Sequence, residues 1–285
     1  MPQVDRHKSR QVPIEFEPNQ NLNELHYKNR HTLVLITQGQ ALGTINDYPI
    51  DLKHSSIICL KGHDTLKINH IKNLVASSFS FDPVFLNTVR LSQNSDINVP
   101  NTPRIKAGLS LFENNDSHTG LVKLDAELYP KFLQWFFTLG MEVQAQSDNL
   151  WVCRIKQYLI QIFNLLLHLE KDNDNSAIDQ ALKYIHINYA SSIRLEDLTN
   201  LTHLNRVSLN ERFKKRVSQT ALQYLLSYRL SIAEQMLTHT GMTLNDIALA
   251  TGFEYDTYFM KQFKQKNGMS PTQYRNITRD IAAIQ

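Results

Sequence analysis

The first third of the chain is patterned for strands. The segments HTLVLITQGQ (31–40), ALGTINDYPIDL (41–52), SSIICL (55–60) and NLVASSFSF (73–81) are short and rich in β-branched residues. Turn signals separate them at Gln38-Gly39, Asn46-Asp47 and Lys61-Gly62. Short strands at this spacing predict a small barrel or sandwich. From residue 125 to 171 the period becomes helical. Trp151, Ile155, Tyr158, Ile162, Leu165 and Leu169 recur at spacings of 4, 3, 4, 3 and 4. That is an a/d seam, which suits a helix packed on the barrel, a dimer contact between two helices, or both.

Beyond Ser176 the pattern is one of short helices. Ser176 with Asp179 reads as a capping-box start, followed by Ile178, Leu182, Ile185 and Tyr189 on one face. Further helices are predicted near 195–202, 206–216, 220–239, 243–250, 255–266 and 270–277. Thr243 with Asp246 caps one of them, and Ser270-Pro271 supplies an N-cap and a first-turn proline to the last. The polar run KDNDNS (171–176) marks the boundary between the two halves. The organisation expected is therefore a β domain over 1–124, helices and linker over 125–176, and a helical domain over 177–285.

Length agrees with this division, since 285 residues correspond to two domains at about 150 residues each. Charge changes the picture more. The whole chain has a net charge of only +3. Residues 1–176 hold 17 basic and 18 acidic residues, whereas 177–285 hold 13 basic and 9 acidic. The positive excess belongs to the helical half.

That half contains an internal repeat. Leu195, Asp197, Leu198 and Thr202 match Leu244, Asp246, Ile247 and Thr251 at an offset of 49. Phe213, Lys214, Gln223 and Tyr224 match Phe263, Lys264, Gln273 and Tyr274 at an offset of 50. Each copy has the form helix, turn, helix, over 195–216 and 244–266. The turns are His203-Leu204-Asn205 and Gly252-Phe253-Glu254, where a left-handed backbone favours glycine. Asn205 is a good N-cap. The second helix of the first copy carries Arg206, Arg212, Lys214, Lys215 and Arg216 against Glu211. That of the second copy carries Lys261, Lys264 and Lys266 against Asp256. Paired basic helices of this form suit a phosphate backbone. The apolar stripe Leu222, Leu225, Leu226, Leu230, Ala233 and Leu237 predicts a rigid helix that sets their separation.

The run GFEYDTYFMKQFKQKNGMSPTQYR (252–275), with Tyr228-Arg229-Leu230, Ala233 and Leu237, resembles the AraC/XylS family of bacterial transcription regulators. The resemblance covers roughly residues 177–280. A looser likeness, on HTLVLITQGQALGTINDYPIDL and the strand spacing, links the N-terminal region to that family's cupin-like effector domain and dimerisation helices. The family implies an α+β two-domain chain: a cupin-like β-barrel with dimerisation helices, then an all-α domain of about seven helices with two helix-turn-helix motifs. It implies base contacts from Arg206, Val207, Asn210 and Glu211 in the first copy, and from Asp256, Thr257, Met260 and Lys261 in the second. Arginine suits guanine, asparagine adenine, carboxylates cytosine and valine the thymine methyl. Lys214, Lys215 and Lys264 are the phosphate-contact candidates. Leu209, Phe213, Phe259 and Phe263 fall on the opposite, core side.

The chemistry expected is therefore binding, not catalysis. His26, His31, His63 and His70 lack the His-x-His and glutamate pattern of a cupin metal site. Cys59 and Cys153 lack the neighbours that would activate a methyl-transfer cysteine, and two cysteines form no disulfide framework. Walker-type loops and nucleophile elbows are also missing from the sequence. No cofactor or metal is expected, and no membrane partner. The expected partners are promoter double-stranded DNA, a second copy of the chain through the Trp151–Leu169 seam, RNA polymerase as the family implies, and an unidentified small-molecule effector. Candidate pocket residues for that effector are His31, Gln38 and His63. The expected location is the cytoplasm, at the nucleoid. The competing readings are a cupin-type enzyme with an appended helical domain, and an interaction module that has lost DNA binding.

Overall fold

The computed structural model describes residues 3–25, 29–86, 112, 120–169 and 176–283. His26 and residues 171–175 of the boundary segment lie outside the described residues. The described residues divide into two compact units, one ending at residue 166 and the other beginning at residue 167.

The first unit is built on an antiparallel sheet. Its strands are β1 (Gln3–Val4), β2 (Gln11–Val12), β3 (Ile14–Glu17), β4 (His31–Ile45), β5 (Tyr48–Lys53), β6 (Ser56–Leu60), β7 (Leu66–Phe81) and β8 (Leu121–Lys123). The strand order is β3-β7-β4-β6-β8, with β5 also paired to β4, and β1 and β2 form a separate hairpin. Asn46 and Asp47 join β4 to β5 as a two-residue turn with both residues left-handed, φ 52° and 66°.

Gln38-Gly39 is not the turn that the sequence suggests. It is a bulge inside the 15-residue strand β4, where the register against β7 shifts on both sides of Gln38. Gly39 has φ 73°, and a Cβ there would collide with the Asn73 carbonyl. A left-handed glycine gives a turn signal in sequence, but a bulge bends a strand without ending it.

The two faces of the sheet bury different residues. One holds an aliphatic cluster of Val34, Ile36, Ala41, Ile50, Leu52 and Ile58 with their neighbours. The other is aromatic: Phe81 lies 5.9 Å from Phe112 and 5.8 Å from Phe163, and Phe16 lies 5.9 Å from Phe136. Phe136 and Phe163 come from α1 (Tyr129–Ala145) and α2 (Trp151–Leu169). Every residue of β6 is buried, the pattern of a strand covered on both faces.

Trp151, Ile155, Ile162 and Leu165 are fully buried within the single chain. These four side chains pack within the chain's own core. Tyr158 and Leu169 are only half-buried. A core-facing amphipathic helix and a coiled-coil helix share this spacing, so periodicity alone could not separate them.

The β1–β2 hairpin is tied to the α1–α2 corner by polar contacts. Buried Asp5 accepts from Trp151 Nε1 at 3.2 Å and from the backbone N–H groups of His7 and Lys8. Gln146 donates to the Val4 carbonyl at 3.0 Å and accepts from the Arg6 N–H at 2.9 Å.

The second unit is helical. It contains α3 (Ala177–Asn188), α4 (Leu195–Thr202), α5 (Arg206–Val217), α6 (Ala221–His239), α7 (Leu244–Ala250), α8 (Asp256–Asn267) and α9 (Pro271–Ala283). These seven lie where the periodicity put them, because their starts are written in local cap chemistry. Ser176, Thr220 and Thr243 each accept from the backbone N–H three residues on. Helix α9 begins as expected but runs past residue 277.

Candidate nucleic-acid interface

The sequence repeat is a repeat of backbone geometry. In the first copy α4 and α5 are joined through His203, at φ 54°; in the second α7 and α8 are joined through Gly252, at φ 82°. Thr202 and Thr251 each donate a hydroxyl back to the carbonyl four residues earlier, at 2.7 and 2.6 Å. Both second helices end in a left-handed residue, Ser218 and Gly268, whose N–H donates to the carbonyl of Lys214 and Lys264 respectively. The helices that follow start alike: Thr220 is boxed with Gln223, and Ser270 with Gln273. A box of this kind satisfies two orphan helix-end donors at once.

The buried side of each second helix is fixed by Leu209 and Phe213 in α5 and by Phe259 and Phe263 in α8, all inaccessible to solvent. Positions 207, 211 and 214, and 257, 261 and 264, then point away from the core by helical periodicity. Val207, Glu211, Lys214 and Lys215 are exposed, as are Thr257, Met260, Lys261 and Lys264. Val207 retains 67% of its surface in water, unusual for a β-branched apolar residue on a charged helix.

Two of the expected base-contact residues have partners within the chain, and a third sits at a helix start. Arg206 pairs with Glu196 of α4, both well exposed. Asn210 is half-buried, and its Oδ1 accepts from the Ala221 N–H at 3.2 Å, linking α5 to the start of α6. Asp256 is exposed at the first position of α8, where a carboxylate favours the helix N-terminus electrostatically.

Helix α6 holds the two copies in one unit. Its residues Ile232–Leu237 are all buried, including Glu234, which receives Lys266 Nζ at 3.0 Å and Asn267 Nδ2 at 2.9 Å from α8. Arg229 donates to the carbonyls of Tyr189 and Ser191, both at 2.7 Å, satisfying the end of α3. Its guanidinium also lies 5.9 Å from the Phe253 ring centroid, in the second turn. Gly252 approaches the same place: a Cβ there would sit 2.6 Å from the Tyr189 carbonyl. Leu222 departs from the predicted stripe and is exposed, while Tyr228 is buried in the same helix. His186 meets the Tyr224 hydroxyl at 2.7 Å beneath α5.

Sequence reasoning missed Tyr255 and Tyr258. Tyr255 is 69% exposed at the N-cap position of α8, and Tyr258 is 51% exposed one turn in. The offset of 50 was the available signal, since it aligns them with Asn205 and Ser208.

The candidate pocket residues are not assembled into one site. His31 stacks on Phe112 at 4.4 Å, on the aromatic side of the sheet. Gln38 sits in the exposed bulge, seven residues along the same strand, roughly 23 Å away at 3.3 Å per residue. His63 is exposed in the turn after β6. Among the described residues no cluster of three or more His, Cys, Asp or Glu side chains is placed to hold a metal. Cys59 is buried in β6, and Cys153 lies on α2 beside Arg154, whose guanidinium is taken by Glu142 and Asp148. No described helix is long and apolar enough to cross a membrane.

Residues 198–277 match the family model described as a helix-turn-helix domain. Among curated proteins, the lactose operon transcription activator of Staphylococcus xylosus is 27% identical over 168 residues, covering 56% of this chain and 59% of that one. The bifunctional transcriptional activator/DNA repair enzyme AdaA of Bacillus subtilis is 29% identical over 110 residues, covering 39% and 52%. The chain spans about half the length of these two relatives. The transcriptional activator RhaS of Klebsiella pneumoniae is matched over more of its length: 22% identity over 270 residues, covering 93% of this chain and 91% of that one. Residues 198–277 are a helix-turn-helix domain, and the chain around them is similar to these transcription activators.

Proposed function

We propose that the chain is a sequence-specific regulator of transcription that binds double-stranded DNA through α5 and α8. The observation that carries this reading is the repeated geometry: two helices with matched turns and C-caps, each burying two apolar residues and exposing lysines on the opposite side. Lys214, Lys215 and Lys264 neutralise phosphates; Arg206, Val207, Glu211, Thr257, Met260 and Lys261 face base edges. Asn210 contributes through its remaining amide donors, because its carbonyl is engaged with α6. Helix α6 has 19 residues, roughly 28 Å of rigid spacer at 1.5 Å per residue. Successive major grooves on one face of DNA recur every 34 Å or so, so a single chain reaches two of them.

The first unit, cupin-like in its strand pattern, governs this activity by binding a small-molecule effector or by self-association. An effector would act by shifting the population of DNA-competent chains. Self-association would use a surface other than the buried face of α2. Contact with RNA polymerase and a cytoplasmic, nucleoid-associated location belong to the same reading. The chain has no catalytic role in it.

Selection of duplexes from a random library by the full-length chain tests the proposal. The expected product is a site with two conserved blocks about one helical turn apart. Failure to enrich any sequence would overturn it.

A further inference from the structure

The matched frames of α5 and α8 make the differences between them informative. Arg206 aligns with Asp256, Asn205 with Tyr255, Ser208 with Tyr258, Asn210 with Met260, and Lys215 with Gln265. Intramolecular ion pairs then sort the charges. Arg206 pairs with Glu196, Arg216 with Asp179 and Lys266 with Glu234. Arg212, Lys214 and Lys215 on α5 are exposed and form no ion pair among the described residues. On α8 only Lys261 and Lys264 are in that position. The start of α8 also carries the carboxylate of Asp256, which repels a phosphate.

What α8 has instead is apolar surface. Tyr255, Thr257, Tyr258 and Met260 are all exposed across its first turn and a half. The corresponding stretch of α5 exposes a single apolar side chain, Val207, because Leu209 is buried. Tyr255, Tyr258 and Met260 leave more apolar surface in water within six residues than a helix start needs for folding, and Thr257 and Met260, three apart, share one side of α8. In the major groove the one apolar group on a base edge is the C5 methyl of thymine.

We infer that α8 reads a thymine-rich half-site through contacts with C5 methyl groups, while α5 holds its half-site mainly by charge. Met260 and Thr257 touch the methyls. Tyr258, its ring 6.1 Å from that of Phe253, borders the contact on the side of the turn. The two half-sites of one chain are therefore unlike, and the operator read by one chain is not a repeat. This inference rests on the DNA-binding reading above.

Uracil, which differs from thymine only in lacking that methyl, is the probe. Duplexes selected by the full-length chain are resynthesised with uracil at one thymine position at a time. The α8 block is identified as the one whose base preference changes in a Lys261→Ala chain. Each contacted methyl lost from that block lowers affinity about fourfold, the amount expected for one buried methyl group. A Met260→Ala chain loses its sensitivity to uracil at one position. The α5 block responds at no more than the thymine opposite Val207.

The inference is overturned if the α8 block lacks thymine, or if uracil throughout it changes affinity by less than about twofold. It is overturned equally if Met260→Ala and Thr257→Ala leave every uracil effect intact, the result expected of a patch that docks a protein. The uracil series on the unmodified chain needs no variant to fold. Enrichment of no duplex at all defeats the DNA-binding reading itself, a different outcome.

Discussion

Asn210 Oδ1 accepts a hydrogen bond from the Ala221 backbone N–H at 3.2 Å, so a side chain of α5 also holds the first residue of α6. Replacing Asn210 with Ala leaves that N–H without its partner at the entry to α6. Thermal or urea unfolding should show a loss of about 1 kcal/mol. A variant of unchanged stability but altered base preference would make Asn210 a reader alone.

His203 and Gly252 occupy the same place in the two copies, both left-handed, yet substitution should act in opposite directions. Gly252→Ala adds a Cβ at φ 82° and 2.6 Å from the Tyr189 carbonyl. It should destabilise the helical unit by more than about 1 kcal/mol. His203→Gly relieves a left-handed non-glycine residue and should be neutral or stabilising by up to about 1 kcal/mol. Urea midpoints of the two variants decide this, and equal losses from both would contradict it.

Asp5 gives the first unit an acid-sensitive joint. Burial pushes its pKa up, but hydrogen bonds from Trp151, from the His7 and Lys8 N–H groups and from Arg10 outweigh burial and hold it below the ordinary carboxylate value. A folded-state pKa below the unfolded one stabilises above the unfolded pKa, and that stability is lost as pH falls through the folded value. The chain should lose stability steeply below about pH 4. Asp5→Asn should be less stable at neutral pH and flatter across the acid range, as read by melting temperature against pH. Parallel curves for the two would rule out this role.

Leu165 tests whether the Trp151–Leu169 seam is core or dimer contact. It is buried within the single chain, so Leu165→Ala should cost about 2–5 kcal/mol of stability. Its mass in solution, measured by light scattering on the folded protein, should be unchanged. Dissociation of a dimer with little change in stability would restore the seam as an interface.

Much of the helical unit was legible because its information is local. Caps at Ser176, Thr220, Thr243 and Ser270 announce helix starts within four residues of sequence, and the repeat exposed both motifs without any tertiary knowledge. The core side, Leu209 with Phe213 and Phe259 with Phe263, followed from period alone. What failed needed contacts distant in sequence. The seam pattern of α2 says that a face is buried but not against what, and its packing in the chain's own core is one of the alternatives that the spacing left open. Gly39 signals a left-handed residue, but only its packing against Asn73 makes it a bulge within a strand. His31, Gln38 and His63 were grouped by strand position, and β4 separates two of them along its length. The bond of Asn210 to the start of α6 was likewise hidden, because α6 returns beneath it only in three dimensions.

The most direct test of the central claim is the affinity of the full-length chain for a selected duplex and its scrambled counterpart, measured across a salt series. Phosphate neutralisation by α5 and α8 predicts a logarithmic slope between about −2 and −4, near −0.9 for each phosphate engaged. Lys214→Ala should reduce that slope by nearly one and weaken both duplexes alike, whereas Arg206→Ala should mainly narrow the gap between them. A slope near zero, or equal affinity for the selected and scrambled duplexes, would contradict the account.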